Sequence, residues 1–476
     1  MKSQNRTPLF DALMQHKERR PLSLHVPGHK NGAWFPARGR GLFESVLPID
    51  LTELAGLDDL HQPTETIDQA QRLLSSFYRS DDSWFLVGGS TVGNLAMIRA
   101  ACGRGDMVLV QRNSHRSVMN GIRLAGARPV FLQPKVDKKA MLATVPSLET
   151  VKKALDRYPN AKAVVLTNPN YYGMAADLSP LIRQVHAYGI PVLVDEAHGA
   201  HFALGPPFPK SALSCGADAV VQSAHKTLPA MTMGAYLHVQ GMRIQKGALK
   251  ESLQVLQSSS PSYPIMGSLD LARHYMAQLT VQDVAGIQQG TERMREELSR
   301  FPQFTVIPGC SPAYEALDPL KITLQTRCSF SGFELARGLE KEGIYAELAD
   351  PLHVLFVMPL TPFDNSQKLI VKMERLLSGV NPGGPRPPQP DLRFPELSMP
   401  AEFTGNEKRE VLGLKEAIGC VVLQDIVPYP PGVPLVIRGE RMTAAQVAAI
   451  QQWHESGGRF QAGGEAVSKG ILVMRE

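Results

Sequence analysis

The sequence has few cysteines, no long apolar run and no strong excess of one charge. Its five cysteines are scattered, odd in number and without a Cys-x-x-Cys pair, so a disulfide framework or a zinc site is not expected and a reducing cytosol fits best. No apolar run approaches the roughly 20 residues of a membrane span, and the N-terminus leads into no signal-peptide core. The net charge is only +5 in 476 residues. No run of lysine and arginine is dense enough to predict binding to nucleic acid.

The length of the chain and its hydrophobic content of 43% predict two or three domains. We expect an irregular, turn-rich N-terminal arm over residues 1–60, a large domain over 61–289 and a smaller α/β domain over 290–378. Residues 379–392 contain five prolines and three glycines, which is typical of a linker. Residues 393–476 are long enough to form a C-terminal domain.

Short apolar segments alternate with helical stretches over the middle of the chain. Strands are predicted at Ser83–Val87, Met107–Gln111, Ala163–Thr167, Pro191–Asp195 and Ala217–Gln222, and in the smaller domain at Thr305–Ile307, Leu320–Leu324 and Val354–Met358. A helix is predicted over Leu178–Tyr188, with Ser179 as its N-cap and Pro180 at its first position. Apolar strands that alternate with amphipathic helices predict a mainly parallel sheet covered on both faces.

Polar side chains follow three of these strands, at the edge where parallel sheets bind ligands. After the first strand, Gly88 and Gly89 precede Ser90 and Thr91 at a helix N-terminus. Such a terminus attracts phosphate through its free N–H groups and its dipole, although an ordinary glycine-rich turn would look the same. Lys226 ends another apolar strand, and burial there would make it a nucleophilic amine.

Asp195 ends a buried strand and is followed by His198 and His201. A buried carboxylate needs a cationic partner, and a protonated pyridine nitrogen would be one. A metal site built from the acids and the two histidines is an alternative, but the spacing matches no standard zinc motif. A capping aspartate in a loop is a third interpretation.

Taken together, the phosphate loop, the strand-end acid and the strand-end lysine resemble fold-type I pyridoxal-phosphate enzymes, the aspartate-aminotransferase-like fold. The chain is most similar to the Orn/Lys/Arg decarboxylase class-I family, in the short bacterial form without an N-terminal wing domain. The segments that carry this resemblance span the chain: His25–Lys30, Gly56–His61, Arg112–Ser117, Thr167–Gly173, Asp195–His201, Ser223–Leu228, Ser259–Pro264 and Pro428–Pro434.

The resemblance implies pyridoxal 5'-phosphate as the cofactor and assigns its contacts. Lys226 would form the Schiff base, Asp195 would pair with the pyridinium nitrogen, and His115 would stack on the ring. The phosphate would be held by Ser90, Thr91, Ser223 and His225. The protein would work without a metal.

Further contacts follow from the same resemblance. Ala197 would pack under the ring, and His198 would lie close to the imine as a candidate proton donor beside Lys226. Ser259 would reach the phosphate of a neighbouring subunit, which predicts a homodimer or a higher homo-oligomer.

The implied reaction is the decarboxylation of arginine, lysine or ornithine to a polyamine-precursor amine and carbon dioxide. A desolvated cationic side chain needs carboxylates nearby. Glu347 and Asp350 are the first candidates, although they could form a solvated turn, and Asp58, Asp59 and Glu440 are further ones. Paired carboxylates suit a forked guanidinium, which favours arginine.

Three other functions share parts of this pattern. An aminotransferase or a β-eliminating lyase has the same cofactor contacts, because a fold does not choose its chemistry. The Pro428–Pro434 segment favours the decarboxylase. A non-catalytic regulatory protein of the same fold would not need Lys226, Asp195 and His115. A metal hydrolase is supported only by the pair His198 and His201.

Overall fold

The N-terminal region contains well-formed helices. The computed structural model describes residues 4–363, 366–383, 395–402 and 408–474. Helix α1 spans Pro8–Arg19, α2 spans Ala37–Phe43, and a short 3₁₀-helix spans Leu47–Ile49. The expectation of an irregular arm was therefore wrong for α1. The contacts that stabilise α1 come from residues far away in the sequence. Leu9 and Leu13 are buried, and the carboxylate of Asp270 accepts from the backbone N–H of Leu9 at 3.1 Å.

The large sheet and its helices follow in a regular alternation. Their bounds are α3 Thr66–Tyr78, β1 Asp82–Leu86, α4 Gly89–Ala101, β2 Met107–Gln111, α5 Arg116–Ala125, β3 Arg128–Leu132, β4 Pro134–Asp137, β5 Leu142–Pro146, α6 Leu148–Arg157, β6 Ala163–Thr167, β7 Met174–Ala175, α7 Ser179–His186, β8 Val192–Asp195, a 3₁₀-helix Ala200–Leu204, β9 Ala219–Gln222, α8 Ala224–Thr227, β10 Ala235–Val239, α9 Lys246–Leu256 and α10 Tyr263–Gln278.

The large sheet has the order β1-β10-β9-β8-β6-β2-β3. All pairs from β9 to β3 are parallel, and β10 runs antiparallel to both of its neighbours. Side chains from β6 enter buried clusters on both faces, with Val164 and Leu166 on one and Ala163 and Val165 on the other. The predicted mainly parallel sheet covered on both faces is therefore confirmed.

The start of α7 differs from the prediction by one position. The helix begins at Ser179 itself, and Leu178 is the flanking residue. Asp177 explains the shift, because its carboxylate accepts from the N–H of Ser179 at 2.9 Å and from its hydroxyl at 2.5 Å. Ser179 is thus the donor in this contact, and it does not act as the N-cap.

The second half of the chain forms smaller sheets. Its elements are α11 Val281–Leu298, β11 Phe304–Val306, β12 Ala316–Leu317, β13 Lys321–Thr326, α12 Gly332–Lys341, β14 Leu348–Ala349, β15 His353–Val357, α13 Ser366–Leu377, β16 Leu397–Ser398, β17 Arg409–Leu412, β18 Val427–Pro428, α14 Ala444–Glu455, β19 Phe460–Ala462, α15 Ala466–Lys469 and β20 Ile471–Met474. Strands β11-β13-β15-β14 form an antiparallel sheet, and β16 extends the large sheet beside β3.

The last segment has a buried cluster of its own, in which Val422, Ile426, Val436 and Ile450 are fully buried. Most of the predicted linker, residues 384–392, lies outside the described residues. Within the described ranges, no helix combines the length and the apolar character that a bilayer crossing requires.

Candidate active site

One pocket brings together six of the residues that the sequence singles out. It lies where β6, β8 and β9 end and where α4 and α5 begin. The predicted residues that line it are Ser90, His115, Asp195, Ala197, His198 and Lys226. The carboxyl ends of adjacent parallel strands meet at one edge, and this is why residues far apart in the sequence converge there.

Asp195 is a buried carboxylate with neutral partners. Asn94 donates to its Oδ2 at 2.9 Å, and the N–H of Ala197 donates to its Oδ1 at 3.1 Å. No lysine or arginine among the described residues forms an ion pair with it. A buried carboxylate in this setting favours a cation supplied by a ligand. Sequence reasoning missed Asn94, because a residue on the inner face of α4 gives no signal of its target.

His115 is held in one orientation at the start of α5. Its Nδ1 accepts from the N–H of Ser117 at 3.2 Å and lies 2.8 Å from the Ser117 hydroxyl. Asn94 donates to that same hydroxyl at 2.9 Å, so the hydroxyl proton points to His115. The ring proton is then on Nε2. Burial lowers the pKa of His115, although the charge of Asp195 opposes this.

The N-terminus of α4 forms an anion cradle with the end of β9. The Ser223 hydroxyl donates to the Ser90 hydroxyl at 2.8 Å and so joins the two elements. No side chain caps α4. The N–H of Gly89 donates to the Met233 carbonyl at 2.8 Å, and the N–H groups of the next residues in this first turn are the ones a ligand can use. Thr91 is exposed on the same turn. His225 donates from Nδ1 to the Gly234 carbonyl at 3.0 Å, and burial lowers the pKa of His225.

Two lysines flank His198. Lys226 Nζ lies 3.0 Å from His198 Nε2, and Lys321 Nζ lies 3.0 Å from His198 Nδ1. The Tyr171 ring covers the group, with its centroid 5.3 Å from Lys226 Nζ and 4.3 Å from the His198 ring centroid. Burial lowers the pKa of Lys226, while the charges of Asp195 and Glu347 raise it. Sequence reasoning gave no role to Lys321, which lies in the smaller sheet.

The two acidic residues proposed to bind a substrate cation have different surroundings. Glu347 is exposed and accepts from the Tyr171 hydroxyl at 3.0 Å. Asp350 is buried, and its carboxylate accepts from the Tyr172 hydroxyl, the His353 ring and the N–H of Leu352. The structure therefore does not pair Asp350 with Glu347. Because its acceptor positions are taken, Asp350 anchors Tyr172 in the pocket wall.

The remaining acidic candidates also accept hydrogen bonds from other groups of the protein. Asp58 accepts from backbone N–H groups at the start of α3, including those of Thr64 and Ile67. Asp59 accepts from the N–H of His61 at 2.8 Å. Glu440 forms a two-pronged ion pair with Arg112 and is treated below. These contacts give the three carboxylates structural roles.

Ser259 lies apart from the residues of the pocket. Its side chain is exposed, in the loop between α9 and α10. The role assigned to it concerns a second subunit, so that role stays a prediction.

The Pro428–Pro434 segment closes the pocket from the C-terminal region. Pro431 and Val433 line the pocket. The Gly432 carbonyl accepts from the N–H of Arg116 at 2.9 Å. Gly432 has a φ of +84°, and a Cβ there would come within 2.8 Å of His115 Nε2. A glycine is needed at this position because the segment packs directly on the catalytic histidine candidate.

A buried ion pair holds this segment in place. Arg112 donates from Nε and Nη2 to the two carboxylate oxygens of Glu440, at 2.6 and 2.7 Å. Its Nη1 also donates to the Pro434 carbonyl at 3.0 Å. Both side chains are nearly inaccessible, at 3% and 10% exposure. The C-terminal region is thereby fixed to the end of β2.

These residues fit pyridoxal phosphate. The buried Asp195 has room for a ring cation, the α4 terminus with Ser90 and Ser223 suits a phosphate, and the Lys226 amine is partly buried and of lowered pKa. These residues fit a metal centre less well. Both nitrogens of His198 face lysine amines, and His201 Nε2 lies 2.9 Å from Asp318. The described residues contain no cluster of three or more histidine, cysteine or acidic side chains suited to a metal.

Comparison with known proteins identifies the family. The model for the Orn/Lys/Arg decarboxylase major domain matches residues 7–313, and the model for the C-terminal domain of that family matches residues 398–460. The uncharacterized protein YaaO of Bacillus subtilis is 45% identical over 482 residues, which are 99% of either chain. The arginine decarboxylase of the same organism is 32% identical over 487 residues, covering 100% of this chain and 99% of that one.

The fold matches solved structures over nearly the whole chain. The lysine decarboxylase LdcF of Francisella novicida superimposes with a TM-score of 0.80 at 20% identity, covering 99% of this chain and 81% of that one. This likeness concerns the fold, which is the predicted fold-type I architecture with its C-terminal domain. Together with the family match, it confirms the resemblance drawn from the sequence: the chain belongs to the Orn/Lys/Arg decarboxylase family and is a pyridoxal-phosphate-dependent amino-acid decarboxylase.

Proposed function

We propose that the protein decarboxylates a basic amino acid, arginine in preference to lysine or ornithine, and releases a polyamine-precursor amine and carbon dioxide. Curated relatives that match over 98% or more of both chains at 30–32% identity are named arginine decarboxylases. The observation that carries the proposal is Glu347, an exposed carboxylate bonded to the pocket-lining Tyr171. It offers a partner for a cationic side-chain end.

The proposed roles in the pocket combine the family resemblance with the contacts described above. The Lys226 amine, of lowered pKa, would hold the cofactor. Asp195 keeps the ring nitrogen protonated, and His115 stacks on the ring while Ala197 packs under it. The phosphate is bound by Ser90, Thr91, Ser223 and His225. The bound cofactor supplies an electron sink for the electrons that carbon dioxide leaves behind.

Glu347 is proposed to bind the cationic end of the substrate. The Tyr171 hydroxyl donates to its Oε1, which orients the carboxylate without neutralising it. Its charge raises the pKa of Lys226 and of Lys321, so its field reaches the pocket. A guanidinium can use both carboxylate oxygens, whereas an ammonium uses one point of contact.

The substrate is tested by product analysis. Purified holoenzyme is supplied with arginine, lysine and ornithine separately, and the amine and carbon dioxide are measured. We expect carbon dioxide from arginine at the highest kcat/KM, and none from Lys226→Ala. Formation of a keto acid in place of carbon dioxide would indicate an aminotransferase, and a preference for lysine or ornithine would overturn the arginine assignment.

The cation site is tested by Glu347→Gln. A charge-assisted hydrogen bond is worth about 1.5–3 kcal/mol, so KM for arginine should rise about tenfold or more while cofactor affinity stays unchanged. Glu340→Gln is the matched control, because Glu340 is an exposed acid on α12 of the same domain. Equal KM values for the parent and the Glu347→Gln enzyme with all three amino acids would place the cation site elsewhere.

We further propose that the protein is a cytosolic homodimer or a higher homo-oligomer. Several large apolar side chains in the N-terminal segment are exposed, with Leu22, Leu24, Trp34 and Leu42 each 78–86% exposed, and exposed apolar surface is typical of subunit contacts. The five cysteines, all within the described ranges, are free thiols, which suits a reducing compartment. Light scattering at assay concentration tests the assembly, and a fully active monomer would contradict it.

A further inference from the structure

Three basic side chains stand in a row beside the pocket. His198 is in the middle, with Lys226 Nζ 3.0 Å from its Nε2 and Lys321 Nζ 3.0 Å from its Nδ1. Lys321 is fully buried, and no carboxylate among the described residues lies within ion-pair distance of its amine. Its position is fixed by packing, since a Cβ on Gly173 would come within 2.5 Å of Lys321 Cγ. The row therefore connects the smaller sheet with the cofactor lysine.

The histidine in this row is neutral. Burial, followed by the charges of Lys226 and Lys321, lowers the pKa of His198 well below its usual value. A neutral imidazole has one N–H and one lone pair. The nitrogen with the hydrogen must face a neutral amine, and the other nitrogen accepts from an amine N–H. The protons of the row therefore have two arrangements. In one the positive charge is on Lys321, and in the other it is on Lys226.

Decarboxylation requires a proton at this place. Carbon dioxide leaves without one, so each turnover consumes a proton at the carbon that carried the carboxylate. If the neutral His198 released its only N–H, it would become an imidazolate anion. That cost is avoided when the opposite nitrogen receives a proton at the same time. Lys321 is the group that lies at that nitrogen.

We propose that Lys321 is a positioning residue that supplies a proton through His198 during decarboxylation. An N–H bond of Lys321 breaks as an Nδ1–H bond of His198 forms. The Nε2–H bond breaks as a new bond to hydrogen forms at the reacting carbon or at Lys226. Lys321 ends neutral and His198 ends in the opposite tautomer. A solvent proton that enters through the pocket then restores the first arrangement. The proposal rests on the decarboxylase activity and not on which amino acid is preferred.

A lysine suits this role better than other cations. Burial lowers the pKa of Lys321 to about 8, with Asp318 and Glu347 raising it and Lys226 lowering it, so the amine exchanges protons near neutral pH. An arginine would keep its proton. The other charged or titratable groups around the row are Asp195, His115, His225, Tyr171, His201 and Arg295. His201 is bonded to Asp318, and Arg295 donates to the backbone carbonyl of Lys321.

The test uses Lys321→Met in the holoenzyme. We expect full cofactor content, a KM within about threefold of the parent, and a kcat lowered about a hundredfold, the usual scale of a lost proton donor. In the parent, kcat should fall above about pH 8 as Lys321 loses its proton, and this alkaline decline should vanish in Lys321→Met. Thr323→Val is the control, since Thr323 is buried two positions along β13 and its hydroxyl is without a hydrogen-bond partner there. An unchanged kcat with an unchanged alkaline decline in Lys321→Met would overturn the proposal.

Two further measurements separate proton supply from fixed charge and from folding. Lys321→Arg keeps the charge but cannot release a proton, so it should be as slow as Lys321→Met; normal turnover in this variant would overturn the proposal. In the unmodified holoenzyme, nitrogen-15 NMR of labelled histidine below about pH 8 should show a neutral His198 with its proton on Nε2, because a charged Lys321 can only donate to Nδ1. A proton on Nδ1 in that range would refute the relay even if both variants failed to fold.

Discussion

At the scale of single residues, the pocket contains the carboxylate of Asp195, which forms no ion pair with a cation in the part of the chain that the structure describes. Asn94 and the backbone of Ala197 give Asp195 only neutral hydrogen bonds, and the residue is 3% exposed. A buried charge in this state is costly until a cation arrives. In the proposed assignment, a protonated ring nitrogen would relieve that cost, and cofactor binding would then be coupled to ring protonation.

This coupling predicts the behaviour of Asp195→Asn. A neutral amide cannot stabilise a protonated ring, and an electrostatic contribution of this kind is typically about 3–4 kcal/mol in the transition state. We expect weaker cofactor binding, measured by absorbance titration, and a loss of kcat of about a hundredfold or more. Asn94→Ala removes two neutral hydrogen bonds, to Asp195 and to Ser117, and should lose less than Asp195→Asn, because each neutral hydrogen bond contributes about 1 kcal/mol. Near-parental turnover in Asp195→Asn would rule out the pairing.

Sequence could indicate some of these residues and not others. Lys226 and Asp195 follow apolar strands, and the ends of parallel strands meet at one edge, so their convergence was predictable. Asn94 faces inward from a helix, and Lys321 comes from another sheet, so no local pattern links either to the pocket. Asp350 illustrates the opposite case. The sequence presents it as an acid beside a strand that could bind a cation, and only the structure shows the groups that donate hydrogen bonds to its carboxylate.

At the scale of elements, strands were easier to predict than the segments between domains. Strands β2 and β6 have the predicted bounds, since strands buried on both faces are continuous apolar runs. Helix α1 was missed because its start is satisfied by Asp270 from a distant helix. Two-residue strands such as Leu397–Ser398 and Val427–Pro428 give no periodicity to read.

The connection between the end of β2 and the C-terminal region gives a prediction at this scale. Arg112→Ala would leave Glu440 buried without its partner, and breaking a buried pair in this way typically costs about 3–5 kcal/mol. We expect a corresponding drop in the free energy of unfolding in urea, and weaker substrate binding as the segment around Gly432 loosens. Lys153→Ala is the control, because its pair with Glu396 is about half exposed, so water screens it and its loss should change the free energy of unfolding little. A loss no larger than that of the control would show that the pair does not hold the segment.

At the scale of the whole molecule, three parts of the chain meet at the pocket. The large sheet supplies Lys226, the smaller sheet supplies Lys321, and the C-terminal region supplies Val433. Cofactor binding and turnover therefore report on the integrity of the entire fold. The same fold buries several histidines in their neutral form, and this makes its stability depend on pH.

His238 shows the effect most clearly, because it lies outside the pocket. Gln222 donates to Glu196 at 2.6 Å, so the Gln222 carbonyl oxygen faces His238 Nε2 at 3.1 Å and accepts its proton. His238 Nδ1 then accepts from the Ser83 hydroxyl at 2.7 Å. Burial lowers the pKa of His238 from 6.5 to about 3. The folded protein thus keeps this ring neutral where the unfolded chain takes up a proton.

The sign of the pH dependence follows from this difference. Well above pH 6.5, neither the folded nor the unfolded protein binds a proton at His238, so keeping this ring neutral costs no stability. As the pH falls below 6.5, the unfolded chain binds a proton at this histidine and the folded protein does not. The free energy of unfolding therefore falls, by about 2 kcal/mol at pH 5 from this residue. The buried His198 and the partly buried His115 and His225, whose pKa values are also lowered, act in the same direction. The buried Glu196, whose pKa burial raises to about 8, acts in the opposite direction, so the contribution of His238 is measured as a difference between the parent and a variant without it. His238→Gln can keep both hydrogen bonds without titrating, so its urea midpoint at pH 5, relative to that at pH 7, should be higher than that of the parent, whereas the exposed His454→Gln should behave like the parent. An equal change in all three proteins would mean that proton uptake at His238 does not contribute to acid unfolding.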